Sequence, residues 1–279
     1  MDPRVGFMQG RLSPLVDGRI QAFPHDEWAS EFRIAEAIGI GLLEWTLDSD
    51  RLDENPLMSV SGRAMIKDLC GLHGVSVPSL TGDCFMQAPF WKADGGLRRE
   101  LQHQLMDVLE AARALGVAIV VIPLVDDGRI GSREEEEILV GFLSEQASGL
   151  LGPDLMIVFE SDLPPDPLAA FIERFDVDTF GLNYDIGNSA SLGFDPEQEF
   201  FAYGDRVANV HVKDRSLGGT TVPLGDGDAD FDTVFGSLAA VGYSGNYILQ
   251  TARDVAGDHR SAIARYRDMT EDWITRHGS

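Results

Sequence analysis

The chain has only two cysteines, Cys70 and Cys84, and they are too far apart to form a C-x-x-C pair. This excludes a disulfide framework and a thiolate zinc knuckle and fits a reducing compartment, so the cytoplasm is the expected location. Basic residues are scarce: 22 Lys and Arg stand against 46 Asp and Glu, a formal net charge of −24. An anionic field of that strength repels polyphosphate backbones and anionic lipid, so neither nucleic acid nor a membrane is an expected partner. No run approaches the ~20 consecutive apolar residues a membrane span requires, and MDPRVGFMQG lacks the apolar centre of a signal peptide. No Pro-rich, Ser-rich or low-complexity stretch offers a linker, so residues 1–279 are expected to form a single domain. Around the first apolar run only Gly6 and Gly10 occur, without the GxGxxG loop of a doubly wound dinucleotide fold.

What is present is alternation. Short β-branched runs, predicted as strands at Val5–Gln9, Leu42–Trp45, Val75–Leu80, Ala118–Pro123, Leu155–Glu160, Phe180–Asp185, Val207–Lys213 and Asn246–Gln250, alternate with longer amphipathic stretches. The helical patterns lie near Asp26–Ile38, Val60–His73, Leu97–Leu115, Arg133–Leu151, Pro167–Phe175, Pro196–Tyr203, Asp232–Val241 and Val255–Arg276. Eight such units in a chain of this length predict the α/β class and a single (β/α)8 TIM barrel. Ser132 with Glu135 reads as a capping box, and Asp230 before Phe231 as a helix N-cap. Two connections are long for a barrel, Gly10–His25 and Thr81–Gly95. The second carries Phe85, Met86, Phe90 and Trp91, too apolar for an idle loop, and is expected to form a lid over the strand C-termini.

Chemistry is expected where polar residues close apolar strands. Glu160 ends MIVFE, Asp185 ends FGLNYD, His211 lies in VANVHVK and Gln250 ends NYILQ. In a barrel these positions meet at the C-terminal rim, where active sites are built. Two carboxylates, an imidazole and an amide converging in a low-dielectric mouth call for a cation, so Glu160, Asp185, His211 and Gln250 are candidate metal ligands. Hard oxygen donors with one histidine favour Mn2+ or Mg2+, with Co2+ next. Asp185 precedes Gly187 and can equally be read as a turn or cap residue.

Further candidates surround this group. Glu44 closes the second strand and is expected to face the same mouth as a catalytic carboxylate. Lys213 shares the inward parity of His211, and Asn188 follows Asp185 by three residues, so both are candidate substrate contacts. Gln9 and Arg11 leave the first strand with shared parity, and Arg11 or Arg253 could anchor a phosphate. The glycine-rich loop at 218–230 occupies a phosphate-binding place in barrels, but Asp226, Asp228 and Asp230 weaken that reading and leave a neutral sugar plausible.

The segments IVFES at 157–161, YDIGN at 184–188, VHVKD at 210–214, LGDGDADF at 224–231 and GYSGNYILQ at 242–250 resemble the xylose isomerase-like TIM barrels, a superfamily of sugar and sugar-phosphate isomerases and epimerases. The resemblance covers nearly the whole chain. It implies a divalent-metal enzyme acting on a keto or aldo sugar, or its phosphate, through an enediolate, with ligands at Glu160, Asp185, His211 and position 250. In the epimerases, the glutamates equivalent to Glu160 and residue 250 also shuttle the proton. The resemblance further implies a homodimer or homotetramer, and Zn2+ joins the metals to consider. Gln250 departs from the pattern, because an amide can offer an oxygen to a metal but cannot accept a proton near neutral pH. That leaves a one-base isomerisation through Glu160, another base such as Glu44, an inosose-type dehydration, or a barrel that binds a sugar without turning it over. The superfamily's abasic-site endonucleases fit poorly, since their three-zinc sites place a histidine where this chain has Asn188.

Overall fold

The computed structural model describes residues 1–278. Eight parallel strands close into a barrel: β1 (Val5–Met8), β2 (Leu42–Leu47), β3 (Ser76–Gly82), β4 (Ile119–Leu124), β5 (Met156–Ser161), β6 (Phe180–Asp185), β7 (Val207–Val212) and β8 (Asn246–Leu249). Each strand pairs with its sequence neighbours, and β1 pairs with β8 to complete the ring. A two-stranded hairpin, Asp214–Arg215 with Thr221–Val222, follows β7 outside the barrel. The (β/α)8 expectation is met.

Alternation along the strands sorts the side chains. Phe159 of β5 and Phe180 of β6 stack on the outer face and pack with Phe171 and Phe175 of the following segment. Their in-between neighbours, Glu160, Asn183 and Asp185, point the other way, into the barrel, because successive strand residues face opposite sides. On β7, Asn209 and His211 face inward while Val210 and Val212 join the outer core. The register of β6 against β7 sets Asp185 level with His211, and that of β4 against β5 sets Pro123 level with Glu160.

Several helices match the predicted bounds, notably Val60–His73 and Pro196–Tyr203. Others shift for local reasons. The helix expected over Arg133–Leu151 is α-helical only to Phe142 and continues as a π-type turn, Leu143–Ala147, and a short 3-10 turn. Its start is as expected: Ser132 accepts from the Glu135 amide at 3.2 Å, but the Glu135 carboxylate reaches one residue further, to Gly131 N–H at 2.7 Å. Asp230 caps its helix by accepting from Thr233 N–H at 3.0 Å. The last helix begins at His259, later than predicted, because Asp258 caps it through Ser261 N–H. No helix among the described residues is long and apolar enough to cross a membrane.

The lid expectation is corrected. Phe85, Phe90 and Trp91 are buried, but Phe90 packs on Phe142 of the neighbouring helix and Trp91 Nε1 donates to Gly128 O in the loop after β4. The aromatic surface is spent on helix and loop packing rather than over the mouth, and Met86 lies against Gly128 in the same direction. The cover over the mouth comes from the first long connection.

Candidate metal centre and its surroundings

Glu160, Asp185 and His211, all buried, each bring a ligand atom to within 4.8 Å of the others. His211 Nδ1 lies 3.0 Å from Glu160 Oε2 and 3.9 Å from Asp185 Oδ2. Its other ring nitrogen, Nε2, lies 2.7 Å from Glu44 Oε1. Burial alone would push this imidazole down, but the flanking Glu44 and Glu160 carboxylates raise it to about 10. The same pairing holds Glu44 and Glu160 below the ordinary carboxylate range in spite of the burial that pushes both upward.

Asp185 does two things at once. Oδ1 caps the short helix Ile186–Leu192, accepting from Asn188 N–H at 2.8 Å. Oδ2 turns into the barrel, ion-paired with Lys213 Nζ at 2.6 Å yet without a well-directed hydrogen bond. Burial raises the acid above its ordinary range, with Lys213 offsetting only part of the effect. An under-satisfied buried carboxylate oxygen beside a second carboxylate and an imidazole nitrogen is a donor set that fits a divalent cation, since oxygen and imidazole donors suit such ions. The raised imidazole holds a proton on each nitrogen, Nε2–H toward Glu44 and Nδ1–H toward Glu160, and a divalent ion would take the place of the Nδ1 proton while Glu44 keeps the ring oriented.

Glu44 is where the sequence reading needs correction. Its side chain does not reach the open mouth but is fully buried beneath it. Ser79 Oγ donates to Oε2 at 2.7 Å, Thr81 Oγ1 to Oε1 at 2.6 Å and Asn209 Nδ2 to Oε2 at 3.0 Å, so both oxygens are occupied. The predicted strand stopped at Trp45; the real one runs to Leu47 and lifts the rim above Glu44.

The remaining candidates divide. Asn188 Nδ2 donates to Glu160 Oε1 at 2.7 Å, while its own Oδ1 accepts from Arg215 at 2.8 Å. Lys213 bridges Asp185 and Gln250, donating to Gln250 Oε1 at 2.9 Å, so Gln250 reaches the cluster through an ammonium group. Gln250 Nε2 donates to Gln21 Oε1 at 3.0 Å, and Gln21 Nε2 donates in turn to Asp83. Gln21, on the first long connection, thus spans the mouth from β8 to the end of β3. Gln9 is fully buried, its Oε1 accepting from Thr46 N–H at 3.2 Å and its Nε2 meeting no hydrogen-bond partner among the described residues.

Neither arginine is free for a phosphate, which corrects that expectation. Arg11 donates to Ile20 O at 2.9 Å and to Gln21 Oε1, and Arg253 donates to Ile20 O and to Ser13 O. Both clamp the first connection over the mouth. Burial and the neighbouring Arg253 charge lower Arg11 to about 9.

Three supporting residues escaped the sequence reading. Glu31, fully buried in the first helix, accepts from Gly10 N–H and Leu12 N–H at 2.9 Å each and fixes the start of the first connection. Asp214, also fully buried, accepts from the amides of Gly225, Gly227 and Ala229 and knots the loop after β7. Glu199 accepts from Tyr184, Ser189 and Tyr203 and anchors the short helix behind Asp185. A lone carboxylate in an amphipathic helix carries no sequence signal for such a role; only the VHVKD context marked Asp214.

Residues 32–270 match the model of the xylose isomerase-like TIM barrel family. The chain belongs to that family. An L-ribulose-5-phosphate 3-epimerase UlaE of Escherichia coli O1:K1 / APEC is 24% identical over 274 residues, covering 92% of this chain and 94% of its own. A D-allulose 3-epimerase from Methylomonas sp., solved with D-allulose, superposes with a TM-score of 0.74 at 15% identity over 97% of this chain and 98% of its own. The IOLI protein with a bound zinc atom gives a TM-score of 0.74 at 18% identity over 98% and 99% of the two chains. At such identities the solved structures speak for the fold.

Proposed function

We propose that this protein is a divalent-metal-dependent ketose 3-epimerase. Glu160, Asp185 and His211 would hold the metal, and Gln250 would offer a neutral oxygen once Lys213 withdraws. The observation that carries the reading is the convergence of Glu160, Asp185 and His211, with His211 pinned from behind by Glu44. The names of the relatives, sugar 3-epimerases from both a sequence match and a fold match, support the reaction class.

A bound divalent ion supplies electrostatic stabilisation of negative charge on sugar oxygens. Glu160 takes the proton from the carbon beside the carbonyl, its carboxylate oriented by Asn183 Nδ2 at 3.0 Å and Asn188 Nδ2 at 2.7 Å. Glu44 serves as the orienting partner of His211 rather than as a proton carrier. Lys213 holds an oxyanion of the substrate. Gln21 leaves the mouth as the sugar arrives, since the ring of contacts it makes occupies the opening.

An unphosphorylated ketose suits this mouth better than a phosphate ester. Arg11 and Arg253 are committed to loop carbonyls, and the knot on Asp214 uses up the backbone amides of Gly225, Gly227 and Ala229 that a phosphate would need. The test is NMR in D2O with Mn2+-loaded protein and D-allulose, L-ribulose or L-ribulose 5-phosphate. The reading expects deuterium at C3 and appearance of the C3 epimer, faster for the free sugars. Tight sugar binding without exchange, or loss of a β-hydroxyl in place of inversion, would replace it with a binder or a dehydratase.

A further inference from the structure

An epimerase that inverts a carbon through two acid-base groups needs a second group besides Glu160, which the amide of Gln250 cannot be, and the rim of the barrel holds a further carboxylate, Asp83. Asp83 opens the short helix Asp83–Gln87 directly after β3, whose Ser79 and Thr81 point inward onto Glu44, and its carboxylate meets Gln21 at the mouth. It is 6% exposed. The acids around the candidate metal centre are matched by cationic side chains, Glu44 and Glu160 by His211 and Asp185 by Lys213. Asp83 has a neutral partner, the amide of Gln21.

That partner is the residue closing the mouth. Gln21 stands between Asp83 on one side and Gln250 on the other. A sugar that displaces Gln21 therefore arrives against both at once, with Glu160 on β5 near enough to act electrostatically on Asp83.

Resting on the epimerase reading above, we propose that Asp83 is the second proton-transfer group of this site, acting on the carbon that Glu160 deprotonates and replacing the carboxylate absent at position 250. In the forward direction Glu160 removes the C3 proton and the C–H electron pair moves onto the carbonyl oxygen. The Asp83 carboxylic acid then gives its proton to C3 from the opposite face as those electrons return. Turnover ends with Glu160 protonated and Asp83 ionised, and exchange with solvent resets both. The surroundings of Asp83 suit the part. Burial, offset in part by Gln21, together with the Asp48 and Glu160 charges and against the attraction of Arg11, sets its carboxyl at about 7, so both protonation states are available near neutrality.

The experiment compares wild type, Asp83→Asn and Asp83→Asn/Gln250→Glu, all Mn2+-loaded, on D-allulose and L-ribulose in D2O. Inversion should fall by about 10²–10⁴ in Asp83→Asn, while deuterium exchange at C3 stays within about tenfold of wild type because Glu160 still works. The double variant should recover inversion at least about tenfold over Asp83→Asn, a rescue that a purely structural loss would not show. Wild-type inversion in Asp83→Asn would overturn the proposal, and so would a joint fall of exchange and inversion without rescue. Should Asp83→Asn fail to fold by its thermal melt, Asp83→Ser is judged by the same two rates. Absence of exchange by the wild type itself would instead remove the epimerase reading.

Discussion

His211 Nε2 lies 2.7 Å from Glu44 Oε1, and both side chains are fully buried. The relationship fixes the ring so that Nδ1 faces Glu160 and Asp185, where a divalent ion would replace its proton. Glu44→Gln keeps the shape and one acceptor but removes the charge. Mn2+ affinity, measured by calorimetric titration, should fall about 10- to 100-fold, the usual effect of losing a partner behind a metal-ligating histidine. Glu44→Ala should in addition lose about 3 kcal/mol of stability, because His211, Ser79, Thr81 and Asn209 are left without their acceptor.

Asp185 serves the helix with one oxygen and the centre with the other, and two substitutions separate these tasks. Asp185→Asn retains an oxygen for Asn188 N–H, whereas Asp185→Ala does not. Both should lose metal binding. In chelator, denaturant titration should find the alanine variant less stable than the asparagine variant by about 1 kcal/mol, the worth of an N-cap.

Gly187 sits where the short helix crosses β7. A Cβ there would fall 2.8 Å from Lys213 Cγ and 3.1 Å from its backbone carbonyl carbon. The side chain could turn aside but the backbone could not. Gly187→Ala should cost about 1–3 kcal/mol in chemical denaturation, the range for overpacking. It should also weaken sugar binding, since Lys213 must move.

Burial raises the Glu31 carboxyl from its ordinary 4.5 to about 7, against the backbone hydrogen bonds that favour its ionised form. The folded state therefore binds this proton more tightly than the unfolded chain. Its stabilising contribution is complete below about 4.5 and is lost as pH rises through about 7. Between those values the melting temperature of wild type should fall more steeply with pH than that of Glu31→Gln. The variant should be less stable at the acid end, because an amide has one acceptor oxygen for the two N–H groups of Gly10 and Leu12. Equal slopes in the two proteins would rule this out.

The barrel could be read in the sequence because strand alternation and helix periodicity agree with one another along its whole length. Pro196–Tyr203 was found at its observed bounds, with a proline at N1 after the capping Asp195. The helix Ile186–Leu192 carries no clear sequence signal, since IGNSASL has weak helix propensity and forms on the Asp185 cap and on the Ser189–Glu199 contact with the next helix. Parity told correctly that Glu44 points inward. It said nothing of depth, because Thr46 and Leu47 extend β2 past it without any residue that marks a strand end. The aromatic residues of the loop after β3 signalled burial, but their destination depended on Phe142 and Gly128, far along the chain. Glu160, Asp185 and His211 were legible together because each interrupts an apolar strand at the rim.

Asn209 Nδ2 donates to Glu44 Oε2 and to Asn183 Oδ1, and Asn183 Nδ2 donates to Glu160 Oε2, so two amides stitch the carboxylate below His211 to the carboxylate beside it. A floor assembled in this way, where most barrels place aliphatic filler, cannot be revised one residue at a time. A redesign for another sugar keeps these five positions as a block and works on the roof.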